Sequence, residues 1–338
     1  MTESPKTSQE KPRFRILALD GGGVRGVLSA QILQKMETYL NSREETPLPL
    51  GQRFDLIAGT SVGAILGLSL AMGRSAAETL EYWAGGGKDK DGKGGKVQEI
   101  FGHPKSRLKW LFFCSKHDAS ALEEALKSWF CNKKLCDLGH EKGTTHVLVT
   151  ATALAKPSLR TWKSPSDPRY ADRAKQQLAD VARASAAAPT FFPPQQKELF
   201  DPPNVDGGLC ANNPAVIAIV EALGRRYELD QIDLVSVGTG IPCGMSYDPN
   251  KIGKGGAKRW LFSMKHKAVP LIELMMEAQS DMTHQQANFM LKGRGRYLRI
   301  NPQLKFPMTL DEMEKVGYLK AYSDLTREEY AKLGELML

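Results

Sequence analysis

The pentapeptide Gly59-Thr60-Ser61-Val62-Gly63 constrains this chain more than any other segment. It stands where an apolar run, Phe54-Asp55-Leu56-Ile57-Ala58, gives way to an apolar helix-forming stretch that begins near Val62. Glycines on both sides of a serine let the backbone turn sharply between strand and helix. They present the hydroxyl at a helix N-terminus, where the macrodipole favours negative charge. A serine hydroxyl alone is a weak nucleophile, so a base has to lie beside it in the folded chain. Asp206, in the Gly-rich segment Asp206-Gly207-Gly208 far downstream, is the candidate. These residue types in this setting point to a serine hydrolase.

The remaining pattern predicts an α/β fold. Residues 14–19 (FRILAL) read as a buried strand, followed by Asp20-Gly21-Gly22-Gly23 and a periodic apolar stretch over 24–40. A looser connection over 41–53 leads into the strand before Ser61, and helical patterns follow at 63–72 and 76–83. Strong strands recur at 146–153 and 232–237, separated by an Ala-rich helix over 175–188 and a second helix over 214–226. Strands alternating with helices imply a mostly parallel central sheet flanked by helices, three layers in all. The Gly/Lys/Asp-rich stretch 85–96 is expected to be a mobile loop. Beyond about residue 241 come a basic Gly-rich segment (251–259), a Met-rich helix over 268–291, a strand over 296–300 and two short helices. The expected organisation is therefore a disordered tail over 1–13, one catalytic domain over 14–240, and a mostly helical C-terminal extension over 241–338 packed against it.

Composition narrows the class. At 338 residues the chain can bury a sizeable core. No apolar run approaches the ~20 residues that span a bilayer. The polar N-terminus has no apolar core of a secretory signal. Five cysteines, an odd number, suggest reduced thiols in a cytosolic protein rather than a disulfide framework. A net charge of +8 favours phosphate-bearing partners: nucleic acid, a nucleotide or an anionic membrane surface. The series Cys131-x4-Cys136-x3-His140-x5-His146 superficially resembles a zinc site. However, its cysteine spacing is at the edge of structural zinc patterns and His146 opens a core strand, so ordinary thiols are the favoured reading.

The glycines after the first strand also fit G-x-G-x-x-G, at Gly21, Gly23 and Gly26. A dinucleotide site would need a second strand ending in an acid about 20 positions on, and residues 41–52 offer only Glu44 and Glu45 in a Pro-rich loop. An oxyanion hole suits the same glycines better. Ester hydrolysis passes through a tetrahedral oxyanion that needs preorganised N–H donors about 3 Å away. Gly21, Gly22 and Gly23 can expose such groups, and the amide of Val62 is a further donor. Arg25 either meets a phosphate head group or braces the loop.

Taken together, Asp20-Gly-Gly-Gly-Val-Arg-Gly26, Gly59-Thr-Ser-Val-Gly63 and Asp206-Gly-Gly208 resemble the patatin-like phospholipase family. Three further segments support the likeness: Ala184-Ser-Ala-Ala-Ala-Pro-Thr-Phe-Phe-Pro193, Ala211-Asn-Asn-Pro-Ala215 and Ser236-Val-Gly-Thr-Gly240. The resemblance implies lipid acyl hydrolysis by a Ser–Asp dyad without histidine, with no cofactor and no metal. Ser61 would form an acyl-enzyme and Asp206 would take its proton. None of the six histidines (103, 117, 140, 146, 266, 284) lies in a motif of a hydrolase histidine loop. The layout of the extension is also similar to that of bacterial phospholipases switched on by cyclic nucleotides in antiphage defence. That similarity implies a cyclic di- or trinucleotide activator, with Lys254, Lys258, Arg259, Arg294 and Arg296 as its first candidate contacts. It also implies a cytoplasmic protein, peripheral to the inner face of the membrane and bound to no nucleic acid.

Several readings stay open at this level. The segment 105–116 (KSRLKWLFFCSK) is either a membrane-resting lid or a helix packed on the core. On the helix over 268–291, Leu271, Met275, Ala278, Met282 and Phe289 share roughly one face. Core packing is the default for such spacing, with acyl-chain contact or oligomerisation as alternatives. Two other functions compete with phospholipid hydrolysis: hydrolysis of neutral or soluble esters, and a non-catalytic membrane- or nucleotide-binding module.

Overall fold

The computed structural model describes residues 12–85, 95–104, 114–140, 144–166, 171–172, 174–195, 203–243, 260 and 270–338. Most of the stretch 85–96, residues 105–113 and the basic segment 251–259 lie outside the described residues.

Among the described residues seven strands build one sheet: β1 (Phe14–Leu19), β2 (Leu56–Thr60), β3 (His146–Ala153), β4 (Ser158–Lys163), β5 (Asn204–Asp206), β6 (Ile232–Val237) and β7 (Arg296–Ile300). Their order is β4-β3-β2-β1-β6-β7, with β5 also paired to β3. The pairs β3–β2, β2–β1, β1–β6 and β6–β7 are parallel, while β4 and β5 run antiparallel to β3. The inner strands read as near-continuous apolar runs because helices cover both faces of a parallel sheet.

Side chains alternate between those faces. Leu17, Leu19, Ile57, Val147 and Val149 belong to the larger core. It is closed by α1 (Gly26–Asn41), α2 (Val62–Ala71), α3 (Ala76–Ala84), α5 (Ala119–Phe130) and α6 (Leu178–Ser185), with the short α4 (Lys96–Phe101) beside them. Ile16, Ala18, Leu56, Ala58 and Leu148 belong to a smaller core under α8 (Ala215–Gly224) and α9 (Pro270–Leu291), next to the four-residue α7 (Gly208–Ala211). The result is the three-layer α/β arrangement expected. Local signals set the ends of some helices: at α3 the Ser75 hydroxyl accepts from the Glu78 N–H at 3.1 Å, and the Glu78 carboxylate accepts from the Ser75 N–H at 2.9 Å.

The extension is woven into this sheet. β7 extends the sheet beyond β6 in register from Asp233↔Arg296 to Val237↔Ile300. The 3-10 helix Met313–Tyr322 and α10 (Arg327–Met337) close the α1 side through Leu319, Leu333 and Leu336. Arg13 at the end of the N-terminal tail is also tied down, by an ion pair to the buried Asp233 at 2.6 Å.

The apolar stripe expected to pack α9 on the core faces outward instead. Met275, Met282 and Phe289 are 53, 50 and 83% exposed. The buried side carries Glu273, Met276, Ser280, Thr283, Ala287 and Leu291. Polar residues of this helix turn inward because the loops at the end of the sheet supply partners for them.

Candidate active site

The register of β3 brings the two distant motifs together. β2 ends at Thr60 opposite Thr150, and the next residue of β3, Ala151, pairs with Asp206 of β5. Since β4 occupies the other edge of β3 at that level, β5 continues on the side that β2 vacates. Ser61, one residue beyond Thr60, therefore lands beside Asp206, and its hydroxyl donates to Asp206 Oδ2 at 2.7 Å. Beneath them Thr60 Oγ1 lies 2.7 Å from Thr150 Oγ1, locking the ends of the two strands.

Ser61 has φ 54° and ψ −123°, a conformation costly for a residue with a Cβ. The surroundings enforce it. Its N–H donates to Ser185 Oγ at 2.8 Å, and α2 starts at the next residue. At Gly63 any Cβ would sit 2.3 Å from the Leu19 carbonyl oxygen, so only glycine lets α2 approach β1 this closely.

Asp206 is buried and uses both carboxylate oxygens. Oδ2 accepts from Ser61, and Oδ1 accepts from the Gly208 N–H at 2.7 Å. Burial pushes its carboxyl up to about 6, against the lowering effect of those two hydrogen bonds. The result is a carboxylate basic enough to receive a hydroxyl proton near neutral pH. Among the described residues no histidine hydrogen-bonds to either member of the pair.

The Gly-rich loop after β1 lies against both residues. Asp20 is not in the pocket: Arg299 of β7 grips both of its oxygens at 2.8 and 2.5 Å, and Ser280 of α9 donates to it at 2.7 Å. Gly21 departs from the expectation for an oxyanion donor, because its N–H donates to the Asn212 carbonyl at 3.0 Å. The N–H groups of Gly22, Gly23 and Val62 meet no acceptor among the described residues. Gly23 needs to be glycine, with φ +57° and the Leu310 carbonyl oxygen 2.0 Å from where a Cβ would stand. Arg25 is 4% exposed and reaches Glu277 of α9 at 3.2 Å, so it braces the loop rather than opening to solvent.

Ser61 and Asp206 open onto an apolar pocket. Val27, Ile65, Leu66, Trp83, Ile100, Phe101, Phe191 and Phe192 make most of its wall, and Met276 and Leu310 of the extension complete it. Such a lining suits a hydrocarbon chain ending at the serine.

The other residues singled out by sequence scatter. Lys254, Lys258 and Arg259 lie outside the described residues. Arg294 is exposed at the turn after α9. Arg296 begins β7 at the opposite end of the sheet from Ser61, holding Asp233 at 2.6 Å. Cys131 is exposed, and the His140 and His146 rings meet edge to face at 5.4 Å. Burial, with Arg225 nearby, holds the His146 imidazole down at about 4. Lys116, at the end of the amphipathic segment, is buried against Asp311 at 2.6 Å.

Four residues that carry the site had no role in the sequence reading: Ser185, Asn212, Gln279 and Arg299. Ser185 and Asn212 stand in two of the supporting motifs. Gln279 takes the Asn212 N–H and donates to the Cys210 carbonyl. The third supporting motif also braces the loop, with Ser29 Oγ donating to the Gly238 carbonyl at 2.8 Å and Thr239 Oγ1 to the Gly21 carbonyl at 3.3 Å.

A strained serine on a strand-to-helix elbow, facing an apolar pocket on a mostly parallel sheet, defines a serine ester hydrolase of the α/β class. Comparison with known proteins makes this specific. The family model for patatin-like phospholipases matches residues 17–219, and the chain belongs to that family. It is 30% identical over 269 residues to a cGAMP-activated phospholipase of Escherichia coli (strain TW11681), covering 76% of this chain and 69% of that protein. A cGAMP-activated phospholipase of Vibrio cholerae is also 30% identical, over 252 residues, covering 71% of this chain and 68% of the relative. Patatin-like protein 4 of Arabidopsis thaliana is 26% identical over 355 residues, covering 96% of this chain and 82% of that protein. The chain is thus a patatin-like phospholipase and a carboxylic ester hydrolase. No helix among the described residues is long and apolar enough to cross a membrane.

Proposed function

We propose that the protein cleaves fatty-acyl esters of membrane phospholipids through a Ser61–Asp206 dyad. The observation that carries this reading is the 2.7 Å hydrogen bond from Ser61 to a buried carboxylate at the floor of an apolar pocket. Ser61 Oγ attacks the ester carbonyl carbon while its proton passes to Asp206 Oδ2. The carbonyl π electrons move to oxygen, and the oxyanion is held by the N–H groups of Gly22, Gly23 and Val62 at the start of α2. The oxyanion collapses, the bond to the glycerol oxygen breaks, and the departing oxygen takes the proton from Asp206. Lysophospholipid leaves and the acyl chain stays in the pocket on Ser61. Asp206 then removes a proton from water, whose oxygen attacks the acyl carbon. Collapse of this second oxyanion returns the proton to Ser61 Oγ and frees the fatty acid. The cycle keeps the division of labour of a Ser-His-Asp triad with the carboxylate itself as base.

The protein works at the cytoplasmic membrane surface as a peripheral enzyme, and its net charge of +8 favours an anionic leaflet. A cyclic nucleotide switches it on, so that degradation of the host membrane serves antiviral defence. Support for this step comes from the two bacterial relatives, whose names state cGAMP activation. Product analysis on mixed phospholipid vesicles, with and without cGAMP, tests both parts. Lysolipid and fatty acid released by the parent protein and not by Ser61→Ala are expected, with release raised by cGAMP. Release only from soluble esters would contradict the lipid substrate, and equal release with and without cGAMP would contradict the switch.

A further inference from the structure

α9 touches both halves of the catalytic apparatus within two turns. Glu277 holds Arg25 of the Gly-rich loop and Ser280 holds Asp20. Gln279 bonds the Asn212 N–H and the Cys210 carbonyl in the segment after Asp206, and Met276 lines the pocket with Ser61. We propose that Glu277 is a positioning residue for the oxyanion loop, acting through Arg25, with the neighbouring Glu273 setting the net charge beneath that loop. This inference rests on the reading of the Gly22 and Gly23 N–H groups as oxyanion donors.

Charge and leverage connect Glu277 to the oxyanion donors. The Arg25 guanidinium is removed from water, and Glu277 is its only ion-pair partner among the described residues. A buried guanidinium stripped of its carboxylate would have to move toward other acceptors or solvent. Because Arg25 closes the 3-10 turn Gly23–Arg25, its N–H bonded to the Gly22 carbonyl at 3.2 Å, such a move drags the donors with it. Oxyanion donors act through fixed geometry, so a small displacement costs rate rather than substrate binding.

Glu273 lies one turn before Glu277, is 3% exposed, and meets the Leu310 backbone N–H but no side-chain hydrogen-bond donor among the described residues. The charges facing it are Arg25, which favours its ionised form, and Glu277 and Asp311, which oppose it. Asp311 is itself tied to Lys116 and His117. Burial, the largest influence, pushes the Glu273 carboxyl up to about 7. When Glu273 is protonated, the Arg25–Glu277 pair is neutral. Once Glu273 ionises, the cluster carries a net negative charge under the donors that must hold an oxyanion.

Steady-state kinetics on phospholipid vesicles tests this with Glu277→Ala, Glu277→Gln, Glu273→Gln, Arg25→Ala and the Arg25→Ala/Glu277→Ala pair, at the cGAMP level that activates the parent. Glu277→Ala should lower kcat on the order of tenfold or more with KM little changed. Glu277→Gln, which keeps an acceptor for Arg25, should recover part of that loss. The double variant should lose no more than Arg25→Ala alone, since Glu277 acts through Arg25. The parent should show a fall in kcat above pH 7, and Glu273→Gln should abolish it. Parent kcat in Glu277→Ala, losses that multiply in the double variant, or an unchanged alkaline limb in Glu273→Gln would each overturn the proposal. If Glu277→Ala shows no melting transition, Glu277→Gln and the Glu273→Gln profile decide. A parent protein as inactive as Ser61→Ala would instead remove the underlying functional reading.

Discussion

In the proposed cycle Asp206 must be ionised to receive the Ser61 proton, yet its burial favours the neutral acid. With its carboxyl raised to about 6, the fraction of enzyme able to react falls as pH drops through that value. The expected profile of kcat therefore climbs from pH 5 to pH 7 with a midpoint near 6. A rate that is flat down to pH 4.5 would show that the base is another group. Asp206→Asn and Ser61→Ala should each lose about a thousandfold or more in kcat, and the double variant little beyond that, because the pair acts as a unit. The contact between Ser61 and Asp206 could be anticipated from the sequence because each sits in a glycine-containing turn whose backbone demands are local. The role of Gly21 could not, since the use of its N–H depends on where the Asn212 carbonyl arrives from a distant part of the chain. Arg299 was equally hidden: of the basic residues around β7 it alone lies at the Ser61 end, and only the register of that strand reveals it.

Among the elements, the inner strands and long helices followed from hydrophobic pattern, with ends displaced by a few residues: the helix expected over 175–188 is Leu178–Ser185. β4, β5, α5 and the short α4 and α7 were missed. β4 is a mostly exposed edge strand without an apolar run, and β5 is three residues long and exists through its pairing with β3. α9 shows where periodicity misleads. Its apolar stripe would give the better hydrophobic contact, but the polar side makes directed bonds to Asp20, Arg25, Cys210 and Asn212. Urea unfolding distinguishes the two orientations. Phe289→Ser should change stability by no more than about 0.5 kcal/mol. Leu291→Ala, at a fully buried position, should cost about 2–5 kcal/mol. The reverse ranking would mean that the stripe is packed.

Across the whole molecule, the residues beyond about 240, expected as an extension packed against the catalytic domain, contribute a strand to its sheet and contacts to its Gly-rich loop. β7 adds a strand to the sheet, Arg299 neutralises the buried Asp20, and Leu310 accepts the Val24 N–H at 2.8 Å. Composition changes at 241 because the segment leaves the alternating strand–helix pattern, and composition carries no trace of a strand returning to the same sheet. A chain ending at residue 240 should accordingly show no cooperative melting by circular dichroism and no ester hydrolysis. A truncated protein that melts sharply and retains activity would show that residues 14–240 fold and act without the extension.

The dyad is tested most directly by peptide mapping after reaction with a lipid-like fluorophosphonate, which adds phosphorus to an activated serine oxygen. A single adduct is expected on the peptide containing Ser61, absent from Ser61→Ala and formed far more slowly in Asp206→Asn. An adduct on a different residue, or labelling of Asp206→Asn at the parent rate, would contradict the dyad.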